Sequence, residues 1–234
     1  MNLQADRIQA LLFDVDGTLS NTDDHMVSRL VQVLKPVSFL FKLKDPRRFA
    51  RWLVMAAESP GNFFYSFLDR VGLDRYLATL FDRSARSKLQ RRHPSDLFML
   101  IAGVHEMLAA LHSRYPMAVV SARDERTTRA FLKHFELDQF FKVVVTSQTC
   151  KHTKPFPDPI HYAAAMLHVE PENCLMIGDT LVDVHAALAA GAQSLSVLCG
   201  FGTEEELRRA GTHAILSSTA DLNSLLLGAS TDPV

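Results

Sequence analysis

Cysteine is scarce in this 234-residue chain: Cys150, Cys174 and Cys199 are odd in number and far apart. They provide no disulfide framework and no zinc-ligand spacing, which suits a reducing compartment. No apolar run is long enough to cross a bilayer. The opening Met-Asn-Leu-Gln-Ala-Asp-Arg lacks the basic-then-apolar text of a secretory signal. A cytoplasmic location without a membrane partner is therefore expected. Excess charge of one sign is absent as well, the formal balance being −1. No recognition motif accompanies the basic residues, so no nucleic-acid partner is expected. There is no internal repeat and no low-complexity segment. The ten histidines have no Cys or carboxylate at ligand spacing. His105 and His112, two turns apart on one helix face, accordingly read as core or surface residues rather than zinc ligands.

What is present is ordinary globular material, 47% hydrophobic and 22% charged, enough for one large domain or two small ones. The near-zero charge conceals an asymmetry. From Arg29 to Arg92 there are fourteen Lys or Arg against five Asp or Glu, and the remainder is acidic. Opposite balances suggest two bodies that dock electrostatically, or a basic body closing over an anionic ligand. The same stretch reads as helical, with Met26, Val27, Leu30, Val31 and Leu34 at three- and four-residue steps. Pro36, Pro46 and Pro60-Gly61 divide it into separate helices. Its aromatics, including Phe39, Trp52 and Phe63 to Tyr65, suit the core of a small bundle, a pocket lining or a subunit contact.

From about Leu97 helices and strands alternate. Strands are expected at Ala10–Phe13, Met117–Val120, 142–145, 174–177, 195–198 and 213–216. The helices between them are expected at about 103–114, 124–135, 159–168, 182–190 and 222–227. A further helix follows the capping box of Thr203 and Glu206. Alternation of this kind predicts βαβ units and a parallel sheet covered on both faces.

Polar residues then collect at strand ends of one polarity, where open α/β sheets bind ligands. The first strand delivers Asp14 and Asp16, with Gly17 permitting a tight turn and Thr18 adding a hydroxyl. The second delivers Ser121, followed by Ala122 and Arg123. The third is followed by Lys154-Pro155, and the fourth delivers Gly178-Asp179, with Asp183 one turn on. Oxygen-rich carboxylates suit Mg²⁺, and a serine hydroxyl, backbone amides and a lysine suit a phosphoryl group. One aspartate can attack phosphorus while another handles the leaving group's proton.

Together, Asp14-Val-Asp16-Gly17-Thr18, Ser121, Lys154-Pro155 and Gly178-Asp179-Thr180-Leu-Val-Asp183 resemble the motifs of the haloacid dehalogenase (HAD) superfamily, in the family's order. Within it, the chain resembles the phosphoglycolate phosphatase-like branch with a helical, C1-type cap. The resemblance implies a doubly wound, Rossmann-like α/β core over 1–20 and 96–228. It also implies a smaller all-helical cap inserted over 21–95, and a tail at 229–234. Asp14 would be the nucleophile and Asp16 the general acid and base. Thr18, Ser121, Ala122 and Lys154 would hold the phosphate. Asp14, Asp16 through its backbone carbonyl, and Asp179 would bind Mg²⁺, with Gly178 and Asp183 in support. The implied activity is Mg²⁺-dependent hydrolysis of a small phosphorylated metabolite, of phosphoglycolate or sugar-phosphate type, by a monomer or homodimer. A phosphomutase of the β-phosphoglucomutase type and a non-catalytic binding protein on the same fold are the alternatives. Arg123, where relatives often have a small polar residue or glycine, either reaches a second anionic group on the substrate or faces solvent.

Overall fold

A computed structural model describes residues 3–21 and 98–228. By its contacts the chain divides into two compact units, Met1–Asp23 with Phe98–Val234, and Asp24–Leu97. Every described residue belongs to the first. The expected helical cap at 21–95, its aromatics and its basic excess lie, apart from Asn21, outside the described residues, as does the 229–234 tail.

Short apolar runs bounded by turn residues give buried strands, and six of them form one parallel sheet. They are β1 (Ala10–Phe13), β2 (Met117–Val120), β3 (Val143–Val145), β4 (Cys174–Gly178), β5 (Gln193–Val197) and β6 (Ala214–Leu216). The spatial order is β3-β2-β1-β4-β5-β6. The chain runs outward from β1 through β2 to β3, then returns to β1's other side with β4, a reversal that leaves a crevice at the strands' carboxyl ends.

Period-two alternation sends successive side chains to opposite faces. Leu11, Phe13, Met117, Val119, Leu175 and Ile177 enter one buried cluster. They meet α1 (Val104–Leu111), α2 (Glu125–His134) and α6 (Leu222–Leu226) there. Ala10, Leu12, Ala118, Val120 and Met176 enter the other, against α3 (Asp158–Leu167) and α4 (Leu181–Ala189). A fully buried Phe or Leu such as Phe13 or Leu108 contributes about 1.5–3 kcal/mol over leaving it in water. The sheet is thus covered on both faces, a doubly wound α/β fold. Among the described residues no helix is long and apolar enough to cross a membrane.

Two boundaries differ from the sequence reading in an informative way. β5 begins at Gln193 rather than at Leu195, because its polar residues are buried with partners. Ser196 Oγ donates to Thr212 Oγ1 at 3.0 Å, and the Ser194 N–H donates to His213 Nδ1 at 3.1 Å. Helix α1 stops at Leu111, short of Arg114. Side-chain caps fix the starts of two helices. The Asp124 carboxylate accepts from the Thr127 N–H at 3.0 Å to open α2, and Thr203 with Glu206 forms the expected capping box at α5 (Glu204–Ala210). The rings of His105 and His112 pack on Phe140, with centroids at 5.2 and 5.3 Å.

Candidate active site

Strand ends deliver the site. Asp14 follows β1, and its N–H donates to Ile177 O on β4 at 2.9 Å. Lys154 comes from the loop between β3 and α3, and its ammonium lies between two carboxylates. Nζ donates to Asp14 Oδ1 at 2.7 Å and to Asp183 Oδ1 at 2.6 Å, and all three side chains are less than a tenth exposed. Burial pushes the Asp14 carboxyl up to about 7, against the pull of Lys154 and with the repulsion of Asp183 and Asp16. Burial alone would lower the Lys154 ammonium, but Asp14 and Asp183 outweigh it and hold it above its usual value.

Asp183 has a second task. Its other oxygen accepts from the Thr180 N–H at 3.1 Å and from Thr180 Oγ1 at 2.6 Å, closing the capping box that opens α4. Gly178 makes room for it, since a Cβ there would meet Asp183 Cγ at 2.3 Å.

Asp179, at the end of β4, is fully buried and held from three sides. Thr18 Oγ1 donates to its Oδ1 at 3.3 Å, the Phe201 N–H to its Oδ2 at 2.7 Å, and the Gly202 N–H to its backbone oxygen at 3.0 Å. A Cβ at Gly17 would meet Asp179 Oδ2 at 2.3 Å, and one at Gly200 would meet it at 2.1 Å. Gly17 also has φ of +74°, a backbone that favours glycine.

Asp14, Asp179 and Asp183 each bring a carboxylate oxygen within 4.8 Å of the others. With all three carboxylates ionised around the Lys154 ammonium, as a bound cation would favour, the set would carry two net negative charges, opposite to a divalent cation. A buried set of hard oxygen donors with that charge fits Mg²⁺. The side chain of Asp16 does not join this cluster. Both of its oxygens accept from Arg123, Oδ2 from Nε at 2.5 Å and Oδ1 from Nη2. The guanidinium also lies 5.8 Å from the ring centroids of both Phe98 and Phe131.

Ser121 follows β2, the strand beside β1, and is buried; its Oγ accepts the Arg123 N–H at 3.1 Å. Ala122 is exposed. The Thr18 hydroxyl is turned to Asp179, and the Thr18 carbonyl accepts from Thr219 Oγ1 at 2.5 Å. Sequence reasoning passed over Gly200, Phe201 and Gly202, which fix Asp179. The signal was the Gly-Phe-Gly text just after the fifth strand, on the same sheet edge. Thr219 had no such signal.

The family model of the haloacid dehalogenase-like hydrolases matches residues 11–197. A pyrophosphatase PpaX of Anoxybacillus flavithermus is 30% identical over 223 residues, covering 94% of this chain and 97% of the relative. The solved structure of a predicted phosphatase from Clostridium acetobutylicum aligns with TM-score 0.66 at 25% identity, over 94% of this chain and 98% of that one. A haloacid dehalogenase-like family hydrolase from Streptococcus pneumoniae aligns with TM-score 0.69 at 23% identity, over 94% and 99%.

Proposed function

Because the chain belongs to the haloacid dehalogenase-like hydrolases and is a phosphoric ester hydrolase, we propose that it is a Mg²⁺-dependent phosphatase working through an aspartyl-phosphate on Asp14. Its substrate is a small phosphorylated metabolite of phosphoglycolate or sugar-phosphate type. The PpaX relative's name, pyrophosphatase, adds pyrophosphate to that class. The observation that carries the reading is the buried set of Asp14, Asp179 and Asp183 around Lys154 at the carboxyl edge of the sheet.

Lys154 fixes one oxygen of Asp14, so the carboxylate is oriented before substrate arrives. In the first step a carboxylate oxygen of Asp14 forms a bond to phosphorus while the bond from phosphorus to the leaving oxygen breaks. The leaving oxygen keeps that electron pair and takes a proton from Asp16. In the second step water attacks phosphorus, gives a proton to Asp16, and the Asp14 carboxylate leaves unchanged. Two moderate barriers replace one high one. Asp14, Asp179 and Asp183 would hold Mg²⁺. Bound there, the ion would supply positive charge between the phosphate and Asp14, whose mutual repulsion otherwise opposes attack. Ser121, the exposed Ala122 and Lys154 lie along the edge where the phosphoryl oxygens would sit.

Phosphate release from pyrophosphate, phosphoglycolate and sugar phosphates, with and without Mg²⁺, tests the reading. Metal-dependent release that vanishes in Asp14→Asn is the expected result. Full activity in Asp14→Asn, or no metal-dependent release from any substrate, would refute it. Isomerised sugar phosphate in place of free phosphate would instead indicate a phosphomutase.

A further inference from the structure

Resting on the phosphatase reading, we propose that Arg123 selects substrates whose leaving group carries an anion of its own, by exchanging Asp16 for that anion. The argument starts from what covers the general acid. The guanidinium fork of Arg123 engages both oxygens of Asp16, from Nε at 2.5 Å and from Nη2. The carboxyl that must meet the leaving oxygen is therefore occupied, and it is occupied by a cation.

A neutral alcohol or phenol offers the fork nothing in return for Asp16. A carboxylate or phosphate on the leaving side presents the same two-oxygen geometry, so one bidentate, charge-assisted pair replaces another. The exchange places the leaving group beside Asp16 and uncovers Asp16 in a single motion. Freed of the fork, the Asp16 carboxylate takes a proton from solvent and passes it to the leaving oxygen, which departs with the electron pair of the broken bond to phosphorus. Its distal anion remains on Arg123 until product is released.

The surroundings of Arg123 suit a pivot. Its backbone N–H donates to Ser121 Oγ at 3.1 Å, and its carbonyl accepts from the Ser147 N–H at 3.0 Å and from Ser147 Oγ at 3.1 Å. Its guanidinium rests against Phe98 and Phe131, which favour the cation without fixing which carboxylate it faces. The Arg123 and Asp16 side chains keep 16% and 22% exposure, so an anion can reach the fork from solvent. This assigns the substrate class as phosphoanhydrides and phosphate esters with a carboxylate or phosphate on the leaving side. Arg123 is the specificity residue.

Phosphoglycolate and 2-hydroxyethyl phosphate form a matched pair, differing in a carboxylate against a hydroxymethyl group. Their kcat/KM values, measured with Mg²⁺, give a selectivity ratio for the native protein, Arg123→Gln and Arg123→Lys, with thermal melts to report folding. The ratio should favour phosphoglycolate in the native protein and fall about tenfold or more in Arg123→Gln, as expected for loss of hydrogen bonds between charged groups. Arg123→Lys keeps the charge without the fork and should fall between; it answers the question alone if the Gln variant does not fold. An unchanged ratio overturns the proposal. So does an equal loss on both substrates, which would make Arg123 only a positioning residue for Asp16. If the native protein releases phosphate from neither of these nor from pyrophosphate, the phosphatase reading itself has failed.

Discussion

Replacing Lys154 by Met removes the ammonium that separates Asp14 from Asp183 while keeping a stem of similar length. Two charge-assisted hydrogen bonds disappear, at 2.7 and 2.6 Å. Hydrogen bonds to charged groups contribute about 1.5–3 kcal/mol each, and removing one member of a buried ionic set costs about 3–5 kcal/mol. Relief is at hand, because burial has already pushed the Asp14 carboxyl up to about 7, so it can take a proton instead of facing Asp183 as an anion. The lower end of the range therefore applies, about 3 kcal/mol at neutral pH. For a domain of this size that lowers Tm by about 6–12 °C. Calorimetry of both proteins in a chelating buffer at pH 7.5 measures the shift. A Tm within about 2 °C of the native value, or above it, would refute the reasoning, since buried ion pairs are sometimes worth no more than an apolar replacement. Adding Asp183→Asn to Lys154→Met should recover part of the loss, because the two changes share one contact.

The Asp14 titration sets a pH dependence. Its folded pKa of about 7 lies above the unfolded 3.8, so the folded state holds a proton that the unfolded chain releases. Stability of the metal-free protein should fall as pH rises from about 4 to about 7, and urea unfolding at both limits checks the sign. In Gly200→Ala the new Cβ would meet Asp179 Oδ2 at 2.1 Å. Mg²⁺ affinity by calorimetry should drop about 10- to 100-fold, as for other supports of a metal ligand, and a Kd within twofold of native would count against the assignment. Thr203→Ala opens the capping box of α5 and should cost about 1 kcal/mol in denaturant unfolding.

Much of the core was legible because apolar runs such as Ala10–Phe13 and Cys174–Ile177 are short, bounded by turn residues and interleaved with helices. That pattern determines a parallel sheet, and the sheet gathers Asp14, Ser121, Lys154 and Asp179 at one edge. β5 was read short because hydropathy cannot register that Ser194 and Ser196 have hydrogen-bond partners in the folded chain. The partners themselves were beyond reach. Lys154 meets Asp14 across 140 residues, and Arg123 meets Asp16 across 107. Rotamers decide such meetings, and a sequence does not list them. The Thr18 hydroxyl, expected at the phosphate, faces Asp179 for the same reason.

The dual engagement of Asp183 reaches beyond chemistry. One oxygen closes the first turn of α4 and the other holds Lys154, which in turn holds the end of β1. The loop after β3 and the start of α4 are consequently one opening unit, so their amide hydrogens should exchange with solvent together and not as two independent frays. Catalytic polarity and edge rigidity share the same atoms. A sequence that abandoned the chemistry at Lys154 would loosen this edge of the sheet unless a new fastener replaced it.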